Sequence, residues 1–195
     1  MNKSILKALT FLFFIILTSA TQAAVLEVRI SDDNDDAEQR SNGSISRGSS
    51  DLEMMYDGSI QDAVGLRFRN ITIPQGATIN SAYVEFTADE SDDRNTRLLI
   101  YGQNSDDANA FSTTNNDITD RPTTSNSILW DPEPWTTGNT YQTSDIASVI
   151  QEVVNRVGWA SGNNLAILVY PNNNCVNSQC ARVAESYDGS SANAA

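Results

Sequence analysis

The chain carries 25 acidic residues against 12 basic ones and no histidine among its 195 residues. A formal charge of −13 repels nucleic-acid phosphates and anionic membrane surfaces. Without histidine there is no Ser-His-Asp triad, no Cys-His pair and no imidazole metal ligand.

Residues 1–23 begin with Lys3 and Lys7, continue through the apolar run Ala8–Leu17, and leave through small residues toward Ala23. A basic start, a short apolar centre and a small-residue exit describe a cleavable secretory signal peptide. The run falls short of the roughly 20 apolar residues that a membrane anchor needs. The expectation is a secreted or cell-surface protein, with the periplasm as a further possibility, whose residues 24–195 form a single β-sandwich domain. Both lysines leave with the leader, so ten arginines face 25 acids, a formal charge of −15. Schiff-base chemistry and a phosphate-binding lysine leave with them, and no Gly-rich phosphate loop is present. No nucleic-acid partner and no membrane insertion after leader removal are expected.

Period-two apolar alternation predicts strands over 24–30, 52–56, 63–71, 79–87, 97–102, 127–130, 164–170 and 181–187. Between them, 31–50, 89–96 and 104–126 are rich in Asp, Asn, Ser, Thr and Gly and read as solvated loops. Short strands with half-buried faces must cover one another, which predicts an all-β, jelly-roll-like antiparallel sandwich. One helix is predicted over 143–157, where Ile146, Val149, Ile150, Val153 and Val154 share a face. Thr143 or Ser144 would cap it, Asp145 suits the dipole there, and Arg156 with Gly158 marks its end.

Three acidic groups are candidate calcium sites. Asp32, Asp33, Asp35, Asp36 and Glu38 follow the first predicted strand; clustered carboxylates need solvent or a bridging cation. The spacing of Asp32, Asn34 and Asp36 matches the start of an EF-hand, but Ala37 and Gly43 stand where its glycine and glutamate belong. A solvated acidic loop is the simpler alternative. The phrase Tyr56-Asp57-Gly58-Ser59 recurs as Tyr187-Asp188-Gly189-Ser190. It reads either as two similar turns or as two strand ends that bring Asp57 and Asp188 to one cation. Asp89, Glu90, Asp92 and Asp93 form the third group, or a polar hairpin loop.

Trp130 and Trp159 read as core, whereas Trp135, in a loop bearing Pro and Gly, is the best candidate for an exposed ring that stacks on a sugar. Tyr141 and Tyr101 are weaker candidates. Cys175 and Cys180, in an oxidising compartment, read as a local disulfide worth roughly 2 kcal/mol. No catalytic residue is assigned.

The runs Val64–Glu90, with Ile73–Ala77 as Ile-Pro-Gln-Gly-Ala, the segment from Ser144 to Trp159, and Arg182–Ser190 together resemble a secreted bacterial jelly-roll module. The likeness is to carbohydrate-binding-module-like sandwiches of the DNRLRE type and covers most of residues 24–195. It implies a secreted, non-catalytic accessory role near polysaccharide-active domains, with extracellular polysaccharide as the partner and calcium common in related sandwiches. In that family a further strand follows the Tyr-Asp-Gly-Ser phrase, whereas here Ala195 comes first. A chain truncated at its C-terminus, or an open edge that accepts a strand from a partner, would explain the difference. Two competing functions are a structural or adhesive surface module that assembles by strand pairing, and a polysaccharide lyase that uses Arg and calcium.

Overall fold

The computed structural model describes residues 24–57, 60–172 and 180–195. The expected leader and Cys175 lie outside the described residues, and with Cys175 the proposed disulfide; Cys180 itself is buried.

The architecture is an antiparallel β-sandwich. Its strands are β1 (Asp36–Arg40), β2 (Ile45–Ser46), β3 (Asp51–Asp57), β4 (Ile60–Ile71), β5 (Glu85–Thr87), β6 (Leu98–Gly102), β7 (Ile128–Trp130), β8 (Thr140–Gln142), β9 (Asn163–Pro171) and β10 (Arg182–Glu185). Helix α1 (Ala147–Val154) lies between β8 and β9, and the four-residue α2 (Tyr187–Ser190) follows β10. The first sheet runs β2-β1-β4-β9-β6-β7. The second joins β3 to β10 and β5 to β8, and the Ala88–Ala184 bridge links the two pairs. Strand β3 belongs to both sheets: Met55–Asp57 pair with Ile60–Asp62 of β4, and Asp51–Met54 pair with β10. Between those stretches Met55 turns the strand with φ +92°, a left-handed conformation that is costly for a non-glycine residue.

Residues directly opposite on paired strands share a face. Val64, Leu66 and Phe68 therefore lie with Val169, Ile167 and Leu165 on the inner face. There they bury with Leu98, Ile100, Phe86, Trp130 and the α1 residues Val149, Val153 and Val154. The outer face of the same sheet is covered as well. The long 104–126 segment folds over it, and Phe111 and Ile118 pack with Ala37, Ala63, Ala166 and Leu168 in a second core. Arg121 ties this cover down: it donates to the carbonyls of Asn109, Ala110 and Asp117 and lies 4.1 Å over the Phe111 ring. Double-sided cover explains why β9 is apolar on both faces.

Several elements depart from expectation. Residues 24–30 form no strand; Ile30 instead donates its amide to the Ala195 carbonyl and buries its side chain. The predicted strand at 79–87 is regular only over β5, because Val84 and Ala82 bond Thr143 and Ile146 just ahead of the helix. That pairing holds 143–146 outside the helix, which is shortened to Ala147–Val154. Thr143 accepts from the Val84 amide rather than capping, and Asp145 accepts from Ala147 and Ala82. The region 31–50, expected as loop, contains β1 and β2. Among the described residues, no helix is long and apolar enough to cross a membrane.

Candidate functional site

The missed strand β1 brings acids inside. Ala37 and Gln39 face the outer cover, where the Gln39 carboxamide bonds Thr119 and the amides of Ile118 and Thr119. Asp36, Glu38 and Arg40 sit opposite Leu66, Val64 and Asp62 of β4, on the face that elsewhere forms the core. Glu38 is 3 % exposed and Asp62 1 %. Two groups of acids converge here: Glu38, Asp51 and Glu53, and Glu53, Asp57 and Asp62, each with ligand oxygens within 4.8 Å of one another. Glu53 belongs to both.

The electrostatics follow from burial. Glu38 accepts the Glu53 amide at 2.6 Å and shares a hydrogen bond with the Glu53 carboxyl group. Desolvation, then that contact, pushes its pKa up to about 9. Desolvation pushes Asp62 up to about 7, against the pull of Arg40. Arg40 itself bonds Asp57 at 3.1 Å. Neither Asp62 carboxylate oxygen has a hydrogen-bond partner.

The acids singled out in the sequence are differently served. Asp32 accepts from Asn34 and bonds Arg69 at 3.1 Å, and Asp33 accepts from Asn34 at 2.6 Å. Asp35 is buried against Arg67, with Arg69 at 3.8 Å. Asp36 accepts the Tyr187 amide at 2.7 Å, and burial raises its pKa to about 6. Arg67 and Arg69 of β4 thus lie against Asp35 and Asp32 of this first acidic run. Asp188 lies in α2 and acts electrostatically on Asp33 and Asp36, whereas Asp57 joins Glu53 and Asp62. Of the acids picked out for metal, Glu38 and Asp57 fall in convergent groups. In the third group, Asp92 is clamped by Arg94 and lies 3.6 Å from the buried Arg182.

Trp135 corrects an expectation: it is 2 % exposed. Two backbone hydrogen bonds with Asp92 draw its loop over the second sheet. Its ring then fills the space between Phe86, Trp130 and Tyr141, at centroid distances of 6.1, 6.3 and 5.2 Å. Trp130 and Trp159 are core, as their patterns predict. Tyr141 is the half-buried end of this aromatic stack, nearly parallel to Trp135 at 12°, and its hydroxyl accepts the Thr136 amide. It borders a shallow depression of about 260 Å³ with Asp131, Glu133 and Gln142. Tyr101 is half-buried elsewhere, beside Tyr170 on the covered outer face.

No family model matches the chain, and no curated protein matches it.

Proposed function

We propose that the chain is a non-catalytic accessory module of a secreted protein, and that it binds extracellular polysaccharide at the Tyr141 depression. The observation that supports this best is the Tyr141–Trp135 stack. A ring held parallel to a buried indole offers its other face with little conformational freedom left to lose on binding. Asp131, Glu133 and Gln142 around it are acceptors and donors suited to sugar hydroxyls. A non-catalytic role accords with the missing histidine, which removes the imidazole-based triads and dyads. A Cys175–Cys180 disulfide would suit the same oxidising setting. Polysaccharide pull-down and a glycan array, with and without EDTA, test the proposal. Retention that Tyr141→Ala abolishes is expected; no retention on any glycan removes the carbohydrate assignment.

A second function, assembly by strand pairing, is favoured by β7, which ends the first sheet with Leu129 turned outward and 46 % exposed. Concentration-dependent oligomers that an edge proline at Leu129 abolishes are its expected signature.

A further inference from the structure

We infer that Glu53, Asp57 and Asp62 hold a divalent cation of the calcium class between β3 and β4, with Glu38 and Asp51 beside it. This goes beyond polysaccharide binding and is independent of it. Five carboxylate residues are buried among the described residues: Asp35, Asp36, Glu38, Asp62 and Asp92. Asp35 has Arg67, Asp36 the Tyr187 amide, Glu38 the Glu53 amide, and Asp92 has Arg94. Only Asp62 has both oxygens buried and unpartnered. Protonation does not resolve this, since a neutral carboxyl would still bury a donor with no acceptor. The one nearby guanidinium, Arg40, is hydrogen-bonded to Asp57 instead.

The geometry suits a shared ion. Calcium sits about 2.4 Å from each oxygen, so two of its ligands can be at most about 4.8 Å apart. Oxygens of Glu53, Asp57 and Asp62 meet that limit pairwise. An all-oxygen set selects a hard cation, and calcium tolerates irregular coordination by 6–8 oxygens better than magnesium does. The Asp57 side chain is 37 % exposed, which leaves a solvent side for water ligands. The ion would also occupy the place where β3, turning at Met55, passes from one sheet to the other.

The test is calorimetric titration of the chelator-treated chain with calcium chloride, with magnesium chloride in parallel and no glycan present. One calcium per chain and a higher unfolding temperature in calcium than in EDTA are expected. Asp62→Asn, which keeps the shape of the side chain, should weaken calcium binding at least tenfold. Glu53→Gln, at a more exposed position, serves if Asp62→Asn does not fold, and Asp33→Asn should bind as wild type does. Wild type without calcium heat or thermal shift, a full response in the cluster variants, or a loss confined to Asp33→Asn would each overturn the assignment. Any of these would leave polysaccharide retention by Tyr141 unaffected.

Discussion

The Phe111 ring lies so close over Gly65 that a β-carbon added there would stand 2.4 Å from its Cζ atom. Gly65 is thus the point where the 104–126 cover touches the backbone of β4, and the contact fixes the second core on the sheet's outer face. Gly65→Ala is expected to destabilise the fold by roughly 1–3 kcal/mol through overpacking. Phe111→Ala should cost about 3–5 kcal/mol by leaving a cavity. Urea unfolding of both single variants and the double variant checks this: the two changes should be strongly non-additive, because the second removes the ring that the first strikes.

Arg182 is 1 % exposed, yet its guanidinium reaches the carbonyls of Pro132, Glu133 and Ala181. It holds the loop that carries Trp135 and borders the Tyr141 depression. Arg182→Met should cost about 3–5 kcal/mol, since it strips partners from buried acceptors and from Asp92. Tryptophan fluorescence should shift red as Trp135 gains solvent; an unchanged spectrum and melting point would show that the loop is anchored without Arg182.

The acid cluster makes stability depend on pH. In chelator, Asp62 near 7 and Glu38 near 9 keep protons that the unfolded chain has released. A folded state that binds more protons than the unfolded state loses stability as pH rises. Their contribution is therefore complete below the ordinary carboxylate range and declines through about pH 7 and pH 9. Urea unfolding in EDTA should show a progressive loss of several kcal/mol from pH 5 to pH 9. Calcium, which competes with protons for the same oxygens, should flatten or reverse that slope. A flat profile in EDTA would mean that these carboxyl groups are not held neutral by burial.

Much of the sandwich was legible because β4 alternates apolar residues with the period of a strand, and β6 and β9 are short apolar runs of strand length bounded by polar loops. Strand β1 was not legible. Asp-Ala-Glu-Gln-Arg has no apolar alternation, and it is a strand because Ala37 and Gln39 sit under the Ile118 cover while Asp36 and Glu38 turn inward. With β1 hidden, the acids Asp36 and Glu38 read as a solvated run, and nothing placed Glu38 beside Asp51 and Glu53 on the inner face. One signal was available: the alternation Val64, Leu66, Phe68 stepped back by two residues lands on Asp62, a carboxylate on the core face. Trp135 misled for the opposite reason, since Pro and Gly around it describe the loop's backbone and say nothing of where its ring goes. Its burial depends on the Asp92 backbone pairing, 43 residues away along the chain.

The most direct measurement is a crystal structure of the chain grown in calcium chloride, refined against anomalous differences. An anomalous peak is expected between Glu53, Asp57 and Asp62, with carboxylate and water oxygens about 2.3–2.6 Å away. An Asp62 side chain bonded only to water, or turned away from Glu53 and Asp57 with no peak between them, would contradict it.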